Sequence, residues 1–241
     1  MTLRIVVPDG PLWAPSLELL AAAGAVDGAA GVDAAAGAVD GADGVVDGVV
    51  DGAAGPAARG GPALPVRVTT LAAADVPSYL LLGAADVGLV AKDVLLERAS
   101  GLCELLDLRF GDAVLVYAIA PGAAARAHRL GRLRIATRHP VLTRAYFAAQ
   151  GVHVAVVEVA GSLERAATDG LADGVVELVD VPPDAAPGDP PDAARPRVAG
   201  LTVEGVVATS SVRLVCGRGA RVLHTAELGA LVARLRDLTV T

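Results

Sequence analysis

Residues 133–180 read LRIATRHPVLTRAYFAAQGVHVAVVEVAGSLERAATDGLADGVVELVD. Leu133 to Thr137 is a short apolar run, Leu142 to Gln150 has helical spacing, and Val152 to Val159 is a second apolar run. Leu163 to Thr168 fits a helix, and Gly174 to Val179 fits a buried strand. Strands alternating with helices at this spacing predict an α/β protein whose parallel strands are covered on both sides.

The same rhythm extends outward. Leu3 to Val7 predicts a strand that stops at Pro8-Asp9-Gly10, and Ser16 to Ala23 a helix closed at Gly24. Val66 to Thr69 and Val87 to Ala91 predict strands, with helices over 72–82 and 94–99. Val114 to Ala120 and Val212 to Cys216 predict two further strands, and Glu227 to Leu238 a last helix. Two stretches break the pattern. Residues 25–61 collapse into Ala, Gly, Val and Asp with near-repeats such as Val46-Asp47-Gly48, and glycines this frequent disfavour regular structure, so a flexible insertion is expected. Its aspartates (Asp27, Asp33, Asp40, Asp43, Asp47 and Asp51) are irregularly spaced with no following Glu, which favours solvated low complexity over calcium ligation. The second stretch, 181–197, carries six prolines and predicts an extended loop.

The chain has 241 residues, 54% apolar and 2% aromatic, enough for one full-sized domain or two modest lobes. Lys92 is the only lysine among 20 Lys and Arg, and the net charge of −7 offers no positive field for nucleic acid or anionic lipid. No apolar run reaches the length of a signal-peptide core or membrane span, which points to a soluble protein. Cys103 and Cys216 form no metal or redox spacing and fit a reducing cytoplasm. His128, His139, His153 and His224 show neither metal spacing nor a triad partner, and neither a GxGxxG turn nor a Walker loop is present.

Ligands of parallel α/β proteins gather at the carboxyl ends of strands, so the turns there hold the candidates. These are Asp9-Gly10, Lys92-Asp93, Gly161-Ser162 and Asp180 onward. Ser162 reads as a helix cap or as an anion donor, and Lys92 as a phosphate contact or as a helix-end charge. Asp173 and Glu177 suit either ribose hydroxyls or ordinary solvated and capping roles.

Six segments carry a resemblance. They are Ala84-Ala85-Asp86-Val87-Gly88-Leu89-Val90-Ala91-Lys92-Asp93, Glu104 to Gly111, Ile135 to Phe147, Glu158-Val159-Ala160-Gly161-Ser162-Leu163-Glu164, Gly170 to Val179 and Ser210 to Val215. Together they resemble the catalytic part of the ATP phosphoribosyltransferase family, in family order, over about 3–23 and 66–238.

The resemblance implies a two-lobed, periplasmic-binding-protein-like (type II) α/β fold with mostly parallel sheets. Lobe I would span 1–107, lobe II 108–209, and 210–241 would return to lobe I. It implies joining of the phosphoribosyl group of phosphoribosyl pyrophosphate to N1 of ATP, with Mg²⁺ and release of pyrophosphate. It assigns Asp173, Glu177, Asp180 and Val181 to the phosphoribosyl group, and Asp9, Gly10, Asp86, Gly88, Lys92, Asp93, Glu158, Gly161 and Ser162 to substrate loops. The absence of a further domain after Glu227 to Leu238 resembles the short form of the family, which works with a subunit related to histidyl-tRNA synthetase; a homo-oligomer is the other expectation.

The chain also departs from the family. Pro8-Asp9-Gly10-Pro11 stands where a Pro-Lys-Gly-Arg-like turn faces phosphate, Val181-Pro182-Pro183-Asp184 where a Thr-Gly-x-Thr loop holds the 5-phosphate, and Ala72-Ala73-Ala74 where Arg is usual. At an effective dielectric near 20, each unit charge pair at 4 Å is worth roughly 4 kcal/mol before screening. Arg195 and Arg197 are candidate replacement cations. Two expectations follow: an active transferase acting on ATP or a related purine nucleotide in histidine or purine-antibiotic synthesis, or a catalytically impaired member that acts as a regulatory or nucleotide-binding module.

Overall fold

The structure is a computed structural model that describes residues 2–26, 49–52, 64, 66–98, 101–123, 132–180 and 200–239. The chain divides into two units, lobe 1 (Met1–Leu95, Ala99–Gly111 and Ser211–Thr241) and lobe 2 (Leu96–Arg98 and Asp112–Ser210).

Lobe 1 is built on strands β1 (Leu3–Pro8), β2 (Val49–Gly52), β3 (Val66–Leu71), β4 (Val87–Ala91), β5 (Cys103–Asp107) and β11 (Val212–Cys216), in sheet order β2-β3-β1-β4-β11-β5. The strands β3, β1 and β4 run parallel, while β2 and β11 are antiparallel to their neighbours. Strand alternation sends Ile5 and Val7 to one face and Val6 to the other. The first face packs with Leu20 of α1 (Trp13–Ala22) and with Leu231 and Leu235 of α7 (Thr225–Thr239). The second packs with Val76 and Leu80 of α2 (Val76–Leu81) and Leu95 of α3 (Lys92–Arg98). Each fully buried Leu or Ile contributes roughly 1.5–3 kcal/mol, so the β1 pattern alone fixes the register.

Lobe 2 holds β6 (Ala113–Ile119), β7 (Leu133–Thr137), β8 (Val154–Glu158), β9 (Gly174–Asp180) and β10 (Thr202–Ser210), in order β10-β6-β9-β7-β8. Here β8, β7 and β9 are parallel, and β6 and β10 complete the sheet antiparallel. Phe147 of α4 (Pro140–Ala149) covers Leu115, Ile135 and Val176 on one face, while Leu163 and Ala166 of α5 (Leu163–Thr168) cover Val116, Ala136 and Val175 on the other. Both sheets are thus mixed, with the parallel triple in each formed by the strands joined through helices.

Several elements differ from the sequence expectation. Val49–Gly52 inside the 25–61 stretch is a strand, because two adjacent valines can pair antiparallel with β3 despite the glycines around them. The helix expected over 72–82 starts only at Val76, since Asp75 turns back through its N–H to the Ala72 carbonyl and Pro77 occupies the first turn. Strands β5 and β10 and helix α6 (Arg218–Leu223) were not expected. In β10, Gly205 and two register shifts blur the alternation that sequence reading depends on. The remaining aspartates of the first irregular stretch (27, 33, 40, 43 and 47) and the loop 181–197 with Arg195 and Arg197 lie outside the described residues. No helix among the described residues is long and apolar enough to cross a membrane.

Candidate functional site

In lobe 2 the parallel register sets Thr137 level with Glu158 on one side and Val176 on the other. The carboxyl ends of β7, β8 and β9 and the loops after them therefore share one edge. Thr137, fully buried, fixes that edge: its Oγ1 donates to the Val176 carbonyl (2.9 Å) and accepts from the His139 N–H (2.9 Å). Arg138, next in sequence, is exposed and reaches across to the turn after β8. Its Nε donates to the Ala160 carbonyl (3.3 Å) and its Nη2 to the Gly161 carbonyl (2.8 Å).

Ser162 Oγ accepts the Arg165 N–H (3.2 Å) as the cap of α5, leaving its own proton for another acceptor. Gly161 has open space on its side-chain side. Glu158 is exposed and lies 3.4 Å from Arg144 Nη2. Glu177 is half-buried, and its carboxyl is pushed up from the ordinary value by burial and by Glu164, against the opposing pull of Arg138. Asp180 ends β9, exposed, opposite Ala113. Val181 lies outside the described residues.

Asp173 does not join this edge. It precedes β9 and is fully buried, while Glu177 sits four residues further along, about 13 Å away at strand rise. Its Oδ2 accepts the Arg134 N–H (3.0 Å) and Nε–H (3.1 Å), and its Oδ1 accepts from Nη2 (3.0 Å). A carboxylate so engaged ties β9 to β7 and has no face left for a ribose. The structure therefore separates the two acidic residues that the sequence reading paired.

The lobe 1 candidates scatter in the same way. Asp9 and Gly10 follow β1 at its carboxyl end, with the Asp9 N–H bound to the Leu71 carbonyl (2.8 Å) and Gly10 at φ +71°. Trp13 Nε1 donates to Thr70 Oγ1 (3.1 Å) and seats the following helix. Lys92 Nζ pairs with Glu104 on β5, so the helix-end reading of this lysine, rather than a free phosphate contact, matches its placement. Asp93 is buried in the first turn of α3.

Asp86 lies at the opposite, amino-terminal edge of β4. Burial opposes its charge, but the Arg4 guanidinium and N–H outweigh that and hold its carboxyl below the usual range. Gly88 faces the core: a Cβ there would meet Leu80 Cδ1 and Val6 Cγ2 at 2.9 Å, so its small size serves helix packing rather than substrate approach.

Three residues that the sequence reading did not select emerge from the geometry. Thr137 and Arg138 organise the lobe 2 edge. In lobe 1, Asp107 gathers the Ser211 hydroxyl (3.0 Å), Arg213 (2.9 Å) and the N–H of Arg109 (3.0 Å). Arg109 is the one non-glycine residue at positive φ (53°) among the described residues. The signal for Arg138 and Asp107 lay inside the quoted family segments, but neither follows from its local pattern alone.

Fold comparison defines the class first. A chain of the ATP phosphoribosyl transferase (HisG:HisZ) complex from Thermotoga maritima superposes with a TM-score of 0.67 at 19% identity, over 99% of this chain and 98% of that one. The periplasmic aliphatic sulphonate binding protein SsuA from Escherichia coli gives 0.50 at 15% identity, over 98% and 72%. The fold is that of two-lobed, periplasmic-binding-protein-like α/β proteins. Sequence comparison then narrows it. The HisG family, ATP phosphoribosyltransferase, matches residues 72–181. The ATP phosphoribosyltransferase of Pseudomonas paraeruginosa is 39% identical over 173 residues, 71% of this chain and 75% of that protein. That of Symbiobacterium thermophilum is 36% identical over 179 residues, 73% and 76%. The chain belongs to the ATP phosphoribosyltransferase family and is a pentosyltransferase.

Proposed function

We propose that the chain transfers the phosphoribosyl group of phosphoribosyl pyrophosphate to N1 of ATP, as an early step of histidine synthesis in the cytoplasm. The C1–N1 bond forms while the C1–O bond to pyrophosphate breaks, and the electron pair of that bond departs on pyrophosphate. The observation that carries the reading is the lobe 2 edge, where Glu177, the Gly161-Ser162 turn and Arg138 converge on the ends of three parallel strands. There an ionised Glu177 accepts ribose O–H groups and stabilises positive charge developing at C1.

Mg²⁺ belongs to this reading as a companion of the substrate. The described residues contain no group of three or more His, Cys, Asp and Glu placed to hold a metal. Asp180, exposed at the end of β9, is the carboxylate of this edge that would hold the ion. When bound, Mg²⁺ neutralises charge on the leaving pyrophosphate.

A second reading, a family member with impaired chemistry that binds nucleotide, is favoured by Lys92 being tied to Glu104 while Asp9 occupies the first turn. The test is direct. Purified chain, alone and with a subunit related to histidyl-tRNA synthetase, is given Mg²⁺, phosphoribosyl pyrophosphate and ATP. Pyrophosphate release with an N1-substituted product supports the transferase. No turnover in either setting, combined with nucleotide binding by calorimetry, supports the impaired module instead.

A further inference from the structure

We propose that Arg138 is a positioning residue for the phosphoribosyl donor, its guanidinium clamping the Ala160-Gly161-Ser162 turn through two carbonyls while its charge faces Glu177. The proposal rests on the transferase reading above.

The clamp follows from the sheet. Thr137, held at both ends by hydrogen bonds, directs the chain out of β7 so that Arg138 emerges level with the end of β8. A guanidinium presents several N–H donors in one plane, and two of them meet successive carbonyls, Ala160 at 3.3 Å and Gly161 at 2.8 Å. Successive carbonyls both turned toward one cation fix the orientation of the peptide planes on either side of Gly161. An unclamped glycine would sample many backbone conformations, and ordering it on donor binding would weaken affinity. A lysine in the same place would supply charge without the fork.

The charge has a second target. Glu177 on β9 is faced by Arg138 from the turn after β7 and by Glu164 from α5, whereas β6 sets the uncharged Val116 beside it. Arg138 favours the ionised carboxylate and Glu164 disfavours it, so removing the cation leaves burial and Glu164 unopposed. One side chain thus couples the shape of the turn to the charge state of the residue best placed for ribose.

The experiment compares wild type with Arg138→Ala and Arg138→Lys. In the absence of ligand, Arg138→Ala speeds amide exchange at Gly161 and Ser162 and moves the Glu177 carboxyl titration, followed by NMR, to higher pH. With substrates, KM for phosphoribosyl pyrophosphate rises about tenfold, the loss of a charged hydrogen-bonding group, while kcat changes far less. Arg138→Lys leaves the Glu177 titration close to wild type but recovers only part of the KM. Unchanged exchange at the turn together with an unmoved Glu177 titration overturns the clamp. Unchanged KM in Arg138→Ala overturns the positioning role. A wild-type chain that binds no phosphoribosyl pyrophosphate overturns the transferase reading and the positioning role with it, while faster exchange in Arg138→Ala would still establish the clamp itself.

Discussion

The two lobes contain the same lock and put it to the same use. Leu3-Arg4-Ile5 on β1 and Leu133-Arg134-Ile135 on β7 each place an arginine at the start of a parallel strand, and Asp86 and Asp173 each stand just before the neighbouring strand. In both, the aspartate Oδ2 accepts the arginine N–H and Nε–H while Oδ1 accepts from Nη2. The surroundings differ. Arg4 is 46% exposed, and His224 Nε2 lies 3.9 Å from Asp86; Arg134 is 26% exposed over a fully buried Asp173. At the other end of the strands the lobes part company. Lobe 1 neutralises Lys92 with Glu104, whereas in lobe 2 Arg138 bonds two carbonyls, with Glu177 nearby. The aspartates at the amino edges are therefore structural, each holding an arginine of the neighbouring strand.

The strongest way to break this comparison is to remove the locks. Asp173→Ala removes a fully buried carboxylate that accepts three N–H groups of Arg134 and should destabilise the chain more than Asp86→Ala, whose carboxylate is less completely buried. Urea unfolding of the two variants measures the difference, and equal or reversed losses would show that the burial of the carboxylate does not set the strength of the lock. Next in size is a pair of glycines. Gly174→Ala drives a Cβ to 2.7 Å from the Ala118 carbonyl and should cost about 1–3 kcal/mol. Gly161→Ala meets open space and should leave the melting temperature nearly unchanged while raising KM for the phosphoribosyl donor.

Acid and alkali should separate the lobes further. The folded carboxyl of Asp86 titrates below its unfolded value, so its contribution is present above the unfolded pKa and is lost as pH falls through the folded one. Acid unfolding should therefore flatten in Asp86→Asn. Tyr117 in lobe 2 behaves oppositely. Burial, with Glu204, Tyr146 and Asp173 adding to it, pushes its hydroxyl from 10.0 up to about 12. The stability it adds is complete below pH 10 and disappears as pH rises toward 12, and Tyr117→Phe should abolish that alkaline loss in a denaturation series. The smallest expected effect is Lys92→Met, below about 1 kcal/mol by thermal melting, because the Lys92–Glu104 pair is partly solvated. A loss of several kcal/mol there would mean that the lobe 1 edge is held by its ion pair after all.

Much of the fold was legible because it is written in local period. The strands at Leu3, Val66, Val87, Leu133 and Gly174 are short and rich in Val, Ile and Leu, with at most one charged residue before their last position, and Ser162 announces its helix by capping it. The strand at Thr202–Ser210 was not legible, since every residue before Ser210 is at most half-buried and its partner β6 lies about 90 positions back. At the candidate site, Glu158, Gly161, Ser162, Glu177 and Asp180 lie toward the carboxyl ends of the lobe 2 strands or in the turns after them, whereas Asp86 and Asp173 bind arginines and Gly88 packs against Leu80 and Val6, a division that no local pattern carries.

By itself, then, the order of residues determined the alternation of strands and helices, the family, and the set of polar side chains available for use. It could do so because burial of apolar surface follows the period of each element. Which polar side chains are spent on structure was decided only by tertiary contact. Arg4 and Asp86 are 82 residues apart, and Arg134 and Asp173 are 39 apart, so an aspartate meets its arginine only after the sheet has brought distant strands into register.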